Sequence, residues 1–333
     1  MIAELEQHVR ECWGEIAPGA PQPRRVQFLK LNAEDYPEPL SALVLLAIAD
    51  RASQPVAVAK ISRAPASDPT IRREAEQLEL VHRSLPPELT RVVPRLVRSA
   101  TVNGRPFILT PCLPGEIELH HTWGPRRALS CSARISSALR WARDVALASP
   151  SEPIGVGEWL RLESPGALSE TLETWGWSAA ELRALEERLS GMWGIRWPAG
   201  LSQGDFFPGN VLFERNTLSG VVDWGLSSAR APVFCDLLFY EAAFSLHAVN
   251  VGRIPDVEER RAVHGLPPFA EVRDSLRHLG VDVGFGGHAS LAVLLAGVLS
   301  SRGMWGQRRR TSTRYIQLLR LHVQDFMNTR APA

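Results

Sequence analysis

Lysine is nearly absent from this chain of 333 residues: of 37 basic side chains only Lys30 and Lys60 are lysine. Arginine is therefore the default surface cation, and a lysine inside an apolar segment needs a reason. Net charge is small, +1 at neutral pH, which removes the bulk electrostatic case for a nucleic-acid or membrane-surface partner. The four cysteines, Cys12, Cys112, Cys131 and Cys235, are scattered without the paired spacing of a zinc or redox site. The longest apolar runs, such as Ala42–Ala49 and Leu291–Leu299, are too short to span a bilayer. Met1–Arg10 carries Glu4 and Glu6 in place of the apolar core of a signal peptide. No internal repeat and no low-complexity segment is present. The expectation is a cytoplasmic, globular protein with free thiols and, at this length, two lobes.

What is there divides unevenly along the chain. Arg25–Leu31, Ser41–Ala49 and Pro55–Ile61 read as strands, rich in Val, Leu and Ala and bounded by Pro and Asp. A helix follows, with Asp68 as its cap, Pro69 in its first turn, and Ile71, Leu78, Val81 and Leu85 at helical spacing. Val92–Ala100 and Arg105–Thr110 are two further strands joined near the turn pair Asn103-Gly104. After Pro111–Gly115 the pattern turns helical, with helices expected over Leu129–Ala148, Ala179–Trp193, Val233–Val249, Phe269–Leu279, Gly287–Leu299 and Thr311–Met327. A β-rich third joined to a helical remainder by a Pro/Gly hinge predicts an α+β chain of two lobes with a cleft between them: 1–110, a hinge at 111–115, and 116–333.

The most informative stretch is Gln203-Gly204-Asp205-Phe206-Phe207-Pro208-Gly209-Asn210, followed by Val211–Glu214, a turn at Arg215–Gly220, and Val221-Val222-Asp223-Trp224-Gly225. Gly204, Pro208 and Gly209 disfavour regular helix, so Asp205 and Asn210 belong to an irregular loop. Val211–Phe213 and Val221–Val222 then form a hairpin around a turn of about six residues. A hairpin returns to its origin, which brings Asn210 and Asp223 to one end beside Asp205. Three oxygen-bearing side chains on a glycine-rich loop suit Mg²⁺, which takes one or two carboxylates and shares phosphate oxygens of a substrate. Taken singly, each would be read as a turn residue bonding its own backbone; the order and spacing of all three favour the cation.

Lys60 interrupts a segment that is apolar on both faces, and lysine is rarely buried without a partner. Alternation places Val56, Val58 and Lys60 on one face of the strand. Glu74 lies three residues after Ile71 and four before Leu78, on the inward stripe of the helix, whereas Glu76 falls on the opposite face. Glu74 is thus the partner expected for Lys60, against the alternative of a lysine reaching out to solvent.

Together these residues resemble the aminoglycoside phosphotransferase and choline kinase superfamily, relatives of the protein kinases, from about Val26 to Tyr240. Gln203–Asn210 is similar to that family's His-Gly-Asp-x-x-x-x-Asn loop, Val221–Trp224 to its Ile-Asp-Trp metal motif, and Pro232–Leu237 to its Pro-x-x-Asp-Leu helix start. The resemblance implies a protein-kinase-like fold: a small antiparallel β-sheet lobe with one helix that binds nucleotide, and a larger, mainly helical lobe that carries the catalytic loop and the acceptor. It implies an ATP- and Mg²⁺-dependent transfer of phosphate to a hydroxyl of a small molecule, such as an aminoglycoside, an amino sugar, a choline-like alcohol or a biosynthetic intermediate. In that reading Asp205 orients the acceptor hydroxyl, and Asn210 and Asp223 hold Mg²⁺. Lys60, held by Glu74, contacts the α- and β-phosphates; Val58 lines the cleft. The backbone of Pro111–Leu113 meets the adenine edge, and Asp236 braces the loop from a helix N-terminus.

Three positions depart from the family pattern. Gln203 replaces the usual His, Gly225 stands where an acidic residue is common, and Leu31–Ser41 lacks glycine where a phosphate-covering loop is expected. They keep open a catalytically silent, nucleotide-binding pseudokinase with a regulatory role. A protein kinase is disfavoured because no long activation segment separates Asp223 from Pro232–Asp236. Other features have simpler readings: His120-His121 as loop histidines, the many Trp after Trp123 as interhelical packing, the mixed charges around Glu181 as a solvated helix, and Gly303–Arg310 as surface.

Overall fold

The computed structural model describes residues 1–31, 42–50, 52, 54–117, 132–155, 158–159, 177–190, 196–241 and 267–279. The expected helices Gly287–Leu299 and Thr311–Met327, nearly all of the glycine-free loop, His120-His121, Cys131 and Gly303–Arg310 lie outside the described residues. The chain forms two compact units, Met1–Gly115 with Ser219–Leu226, and Glu116–Leu218 with Ser227–Ala333.

The first unit is built on five strands, β1 (Val26–Lys30), β2 (Ala42–Ala49), β3 (Ala57–Ser62), β4 (Arg98–Val102) and β5 (Arg105–Pro111). They form one antiparallel sheet in the order β1-β2-β3-β5-β4. The β4–β5 hairpin turns on Asn103 (φ +50°) and Gly104 (φ +71°), the pair of positive φ angles that matches the right-handed twist of the strands. The strand expected from Val92 starts only at Arg98. Pro94 has no N–H for the ladder, and the Val92 carbonyl instead accepts from Val221 N–H at 2.7 Å.

Two helices missing from the sequence expectation precede the sheet: α1 (Ile2–Glu11) and the single turn α2 (Trp13–Ile16). Their Leu5, Val9, Cys12, Trp13 and Ile16 form one buried cluster with Val26, Ala47, Ala57, Ala59, Ile61, Phe107 and Leu109. One face of the sheet is thereby committed to the core, and alternation sends Val58 and Lys60 to the other. That second face meets α3 (Asp68–Ser84), which buries Ile71, Glu74, Ala75, Leu78 and Val81 and leaves Glu76 exposed. Pro69 sits in its first turn as expected, but the cap position belongs to Ser67, with Asp68 as the first helical residue. Ser62 Oγ bonds Ser67 Oγ and the Asp68 carboxylate, fastening the end of β3 to the start of α3. A carboxylate in the first turn is favoured by the helix dipole in any case.

The second unit has helices Ser132–Ala148 and Pro267–His278 packed together, the first burying Ile135, Leu139, Trp141 and Val145. Residues 235–241 and Ala179–Ser190 are also helical. The chain after residue 115 was expected to be helical apart from one hairpin, yet it holds two small sheets. β6 (Glu116–Ile117), β9 (Val211–Glu214) and β10 (Thr217–Val221) form one, in the order β10-β9-β6. β7 (Pro150–Gly155), β8 (Arg196–Ser202) and β11 (Ser228–Pro232) form the other, in the order β11-β8-β7. The hairpin loop is tighter than expected. Only Arg215 and Asn216 separate β9 from β10, and Arg215 takes φ +58° to make the turn. Among the described residues no helix is long and apolar enough to cross a membrane.

Candidate active site

In the first unit, Lys60 Nζ lies 2.6 Å from Glu74 Oε1 and 3.0 Å from Asp223 Oδ1. Lys60 and Glu74 are largely shielded, at 17% and 6% side-chain exposure, whereas Asp223 is 52% exposed. Burial works against the charge on Lys60, but the carboxylates of Asp223 and Glu74 outweigh it and hold the amine above the usual lysine range. Burial pushes the Glu74 carboxyl up; the Lys60 ammonium and the Trp224 N–H, which donates to it, oppose that shift without cancelling it. Asp223 itself has φ +64°, a left-handed conformation that Asp tolerates better than most residues and that recurs at functional sites. The turn is closed by the fully buried Trp224, whose Nε1–H donates to Val221 O at 2.9 Å.

Strand register extends this cluster across the sheet. Leu29, Leu46, Val58 and Thr110 stand in one row through β1, β2, β3 and β5, and Val44, Lys60 and Ile108 in the next. Leu29 is 55% exposed, and Leu46 and Val58 are half-buried, so an apolar strip with an ammonium at its side is open to a ligand. Beyond β5, Cys112 N–H is engaged by Val56 O at 2.9 Å and Pro111 has no N–H. Of Pro111–Leu113, Leu113 is left as the backbone donor.

In the second unit, β8 ends at Ser202 and the chain enters the glycine-rich loop, turning at Gly204 with φ +82°. The buried carboxylate of Asp236 accepts from Ser202 Oγ (2.8 Å), Gln203 N–H (2.7 Å) and Gly204 N–H (3.1 Å). Burial pushes its pKa above the ordinary value in spite of these three donors. Gln203, fully buried, accepts Asp205 N–H on its side-chain oxygen at 2.8 Å. Asn210, at the end of the short helical turn Pro208–Asn210, donates from Nδ2 to the Asp205 carbonyl and to Asp205 Oδ2, both at 3.0 Å. Beneath the loop, Phe206 packs between Trp141 and Tyr240, with ring centroids 5.7 and 5.2 Å away.

Lys60, Glu74 and Asp223 thus come together in one unit, on the sheet face that carries Val58, and Asp205 and Asn210 come together in the other. The sequence reading had the brace Asp236 but missed Ser202 as its partner and the Trp224 amide as a partner of Glu74. A backbone donor leaves no trace in composition. Among the described residues no three or more His, Cys, Asp and Glu side chains gather as a metal cluster.

Residues 40–264 match a family model described as the phosphotransferase enzyme family. The homoserine kinase of Rhodopseudomonas palustris strain BisB5 is 31% identical over 155 residues, a match that spans 44% of this chain and only 42% of that kinase. A candidate fructosamine-3-kinase from Haemophilus somnus 129PT superposes with a TM-score of 0.59 at 10% identity, covering 98% of this chain and 99% of the other. An aminoglycoside phosphotransferase from Streptomyces rimosus, solved with ADP and streptomycin, gives 0.52 at 13% identity, covering 84% and 93%. At such identities the structures speak for the fold alone, an α+β fold of the aminoglycoside phosphotransferase and protein-kinase-like type. With the family model matched from residue 40 to residue 264, this chain belongs to the phosphotransferase enzyme family.

Proposed function

We propose that this protein transfers the γ-phosphate of ATP, with Mg²⁺, to a hydroxyl of a small molecule. The observation that carries the reading is the Lys60–Glu74–Asp223 cluster beside an open apolar strip. A shielded ammonium next to a flat apolar surface suits a nucleotide, whose base packs on the strip and whose phosphates meet the cation. Residues 1–110 then act as the nucleotide-binding lobe, 111–115 as the hinge and 116–333 as the catalytic and acceptor lobe. The ADP held by the Streptomyces rimosus relative is consistent with this use of the fold.

The donor set fits Mg²⁺. Asn210 spends its amide hydrogens on Asp205, which leaves the carbonyl oxygen as its ligand atom, and the half-exposed Asp223 offers a carboxylate. These are the hard oxygen donors that ion prefers, few enough for water and phosphate oxygens to complete its shell. When bound, Mg²⁺ neutralises charge on the phosphate oxygens. Lys60 grips the α- and β-phosphates. Asp205, fixed by Gln203 and Asn210, orients the acceptor hydroxyl and takes its proton as the oxygen bonds to the γ-phosphorus. The bond to the β-phosphate oxygen breaks, and ADP leaves. Gln203 ties down the Asp205 amide, so the replacement of the usual His does not leave Asp205 unsupported, which weighs against the catalytically silent reading.

The acceptor class follows the relatives and the family resemblance together: a biosynthetic intermediate such as homoserine, a choline-like alcohol, an amino sugar or an aminoglycoside. Purified protein with radiolabelled ATP and Mg²⁺ is offered each class in turn, and acceptor-dependent transfer of label to one of them is expected. Tight nucleotide binding without transfer to any acceptor would instead establish the silent, regulatory alternative.

A further inference from the structure

Leu201, near the end of β8, is held by a side chain from outside the sheet. Its N–H donates to Ser149 Oγ at 3.0 Å, and that hydroxyl donates in turn to Val145 O at 2.7 Å. Val145 O is one of the carbonyls that the end of the helix Ser132–Ala148 leaves without an intrahelical partner. One half-buried hydroxyl thus joins that helix end to the strand that runs into the glycine-rich loop. The approach is close because position 200 has no side chain. A Cβ built on Gly200 would stand 2.8 Å from Ser149 O and 3.1 Å from Ala146 O, so a larger residue would force the helix end and β8 apart. Trp141, Val145 and Ser149 follow one another at helical spacing along one face. Trp141 stacks with Phe206, the residue after Asp205, with ring centroids 5.7 Å apart. Ser202–Asp205 is therefore held on both sides, at Leu201 and at Phe206, from a single helix face, while Asp236 fixes the backbone between them.

We propose that Ser149 is a positioning residue for Asp205: its hydroxyl fixes the end of β8 against the helix Ser132–Ala148, and with it the place of the carboxylate that orients the acceptor. This rests on the phosphotransferase reading for the role of Asp205. Gly200 belongs to the same device, because only a bare Cα lets the helix end come within reach of the Leu201 amide.

Ser149→Ala removes both hydrogen bonds, whereas Ser149→Thr retains the hydroxyl. With ATP, Mg²⁺ and the acceptor found by the radiolabel screen, kcat of the Ala variant should fall by about fivefold or more, as small misplacements of a reacting group do. Its Kd for a fluorescent ATP analogue should stay within about twofold of the parent, and the Thr variant should recover most of the lost turnover. Leu5→Ala, which damages the core of the first unit, is the control for lost stability and should keep its kcat. A smaller fall in kcat, or a Thr variant as slow as the Ala variant, would overturn the proposal. Hydrogen exchange supplies a readout that needs no acceptor. In Ser149→Ala the amides of Leu201, Gly204 and Asp205 should exchange about tenfold faster than in the parent, the worth of about one hydrogen bond. Acceleration confined to Leu201 would show that the loop does not depend on Ser149 and overturn the proposal. If the parent transfers phosphate to no acceptor, the phosphotransferase reading falls, while exchange at Gly204 and Asp205 still decides whether Ser149 sets the loop.

Discussion

Asp205 is held through the peptides on either side of it: its N–H by Gln203, its carbonyl by Asn210, with one carboxylate oxygen also bonded to Asn210. A side chain fixed in this way is suited to a task that depends on aim, and proton transfer in a phosphoryl transfer is such a task. Substituting Asp205→Asn, which keeps the volume, should lower turnover by about 10²–10⁴-fold with little change in nucleotide affinity. Steady-state transfer assays paired with titration of a fluorescent nucleotide measure both quantities. Turnover within about tenfold of the parent would remove Asp205 from the role of base. Lys60 shows the complementary logic. Its two carboxylate partners hold its proton more firmly than water does, so it is a fixed cation, unsuited to exchanging protons near neutral pH, which is what the proposed grip on phosphate requires.

The glycine-rich loop after β8 is an element whose shape depends on one buried group. Asp236 accepts from Ser202, Gln203 and Gly204, and it does so at a cost, because burial raises its pKa. A carboxyl whose folded pKa lies above its unfolded value contributes stability at pH below the unfolded value, about 3.9, and loses it as pH rises through the folded value. Asp236→Asn has no charge to bury, so its own contribution is flat with pH. The stability of the parent relative to Asp236→Asn should therefore fall over the interval above about pH 4, read as the difference in urea midpoints. A difference that grows over that interval would mean the three donors, and not burial, govern the carboxyl. What the sequence made legible at this scale was local. The Asn103-Gly104 turn, the alternation that turns Lys60 away from Ala59 and Ile61, and the helical stripe that picks Glu74 over Glu76 each depend on neighbours within a few residues. β8 and β11 were not legible, because Arg196–Ser202 and Ser228–Pro232 contain Pro, Gly and Ser and become strands by pairing across the chain, which overrides their weak intrinsic preference. α1 was legible in principle, with Leu5, Val9 and Cys12 at helical spacing, but a few apolar positions among charged ones give a weak signal.

At the scale of the whole molecule, the sheet of the first unit has two faces with different duties. One is sealed by α1 and α2 around Phe107 and Leu109; the other carries Lys60, Val58 and the apolar strip. In the proposed reading nucleotide meets only the second face, beside α3, so a lesion in the sealed face should be felt in stability and spared in binding. Leu5, fully buried in that cluster, is the cleanest position to test it. Leu5→Ala leaves a cavity, and such a truncation costs about 2–5 kcal/mol. The urea midpoint should drop accordingly, while the affinity for a fluorescent ATP analogue in Mg²⁺ stays within about twofold of the parent, since mutations at separated sites with no shared partners are nearly additive. Nucleotide should also restore part of the loss, because a ligand at about 100 times its Kd adds about 2.7 kcal/mol to a folded state that alone binds it. An unchanged midpoint would mean that the N-terminal helices are no part of this core. A matching collapse of nucleotide affinity would mean that the two faces of the sheet are mechanically coupled, and that α1 is part of the binding machinery.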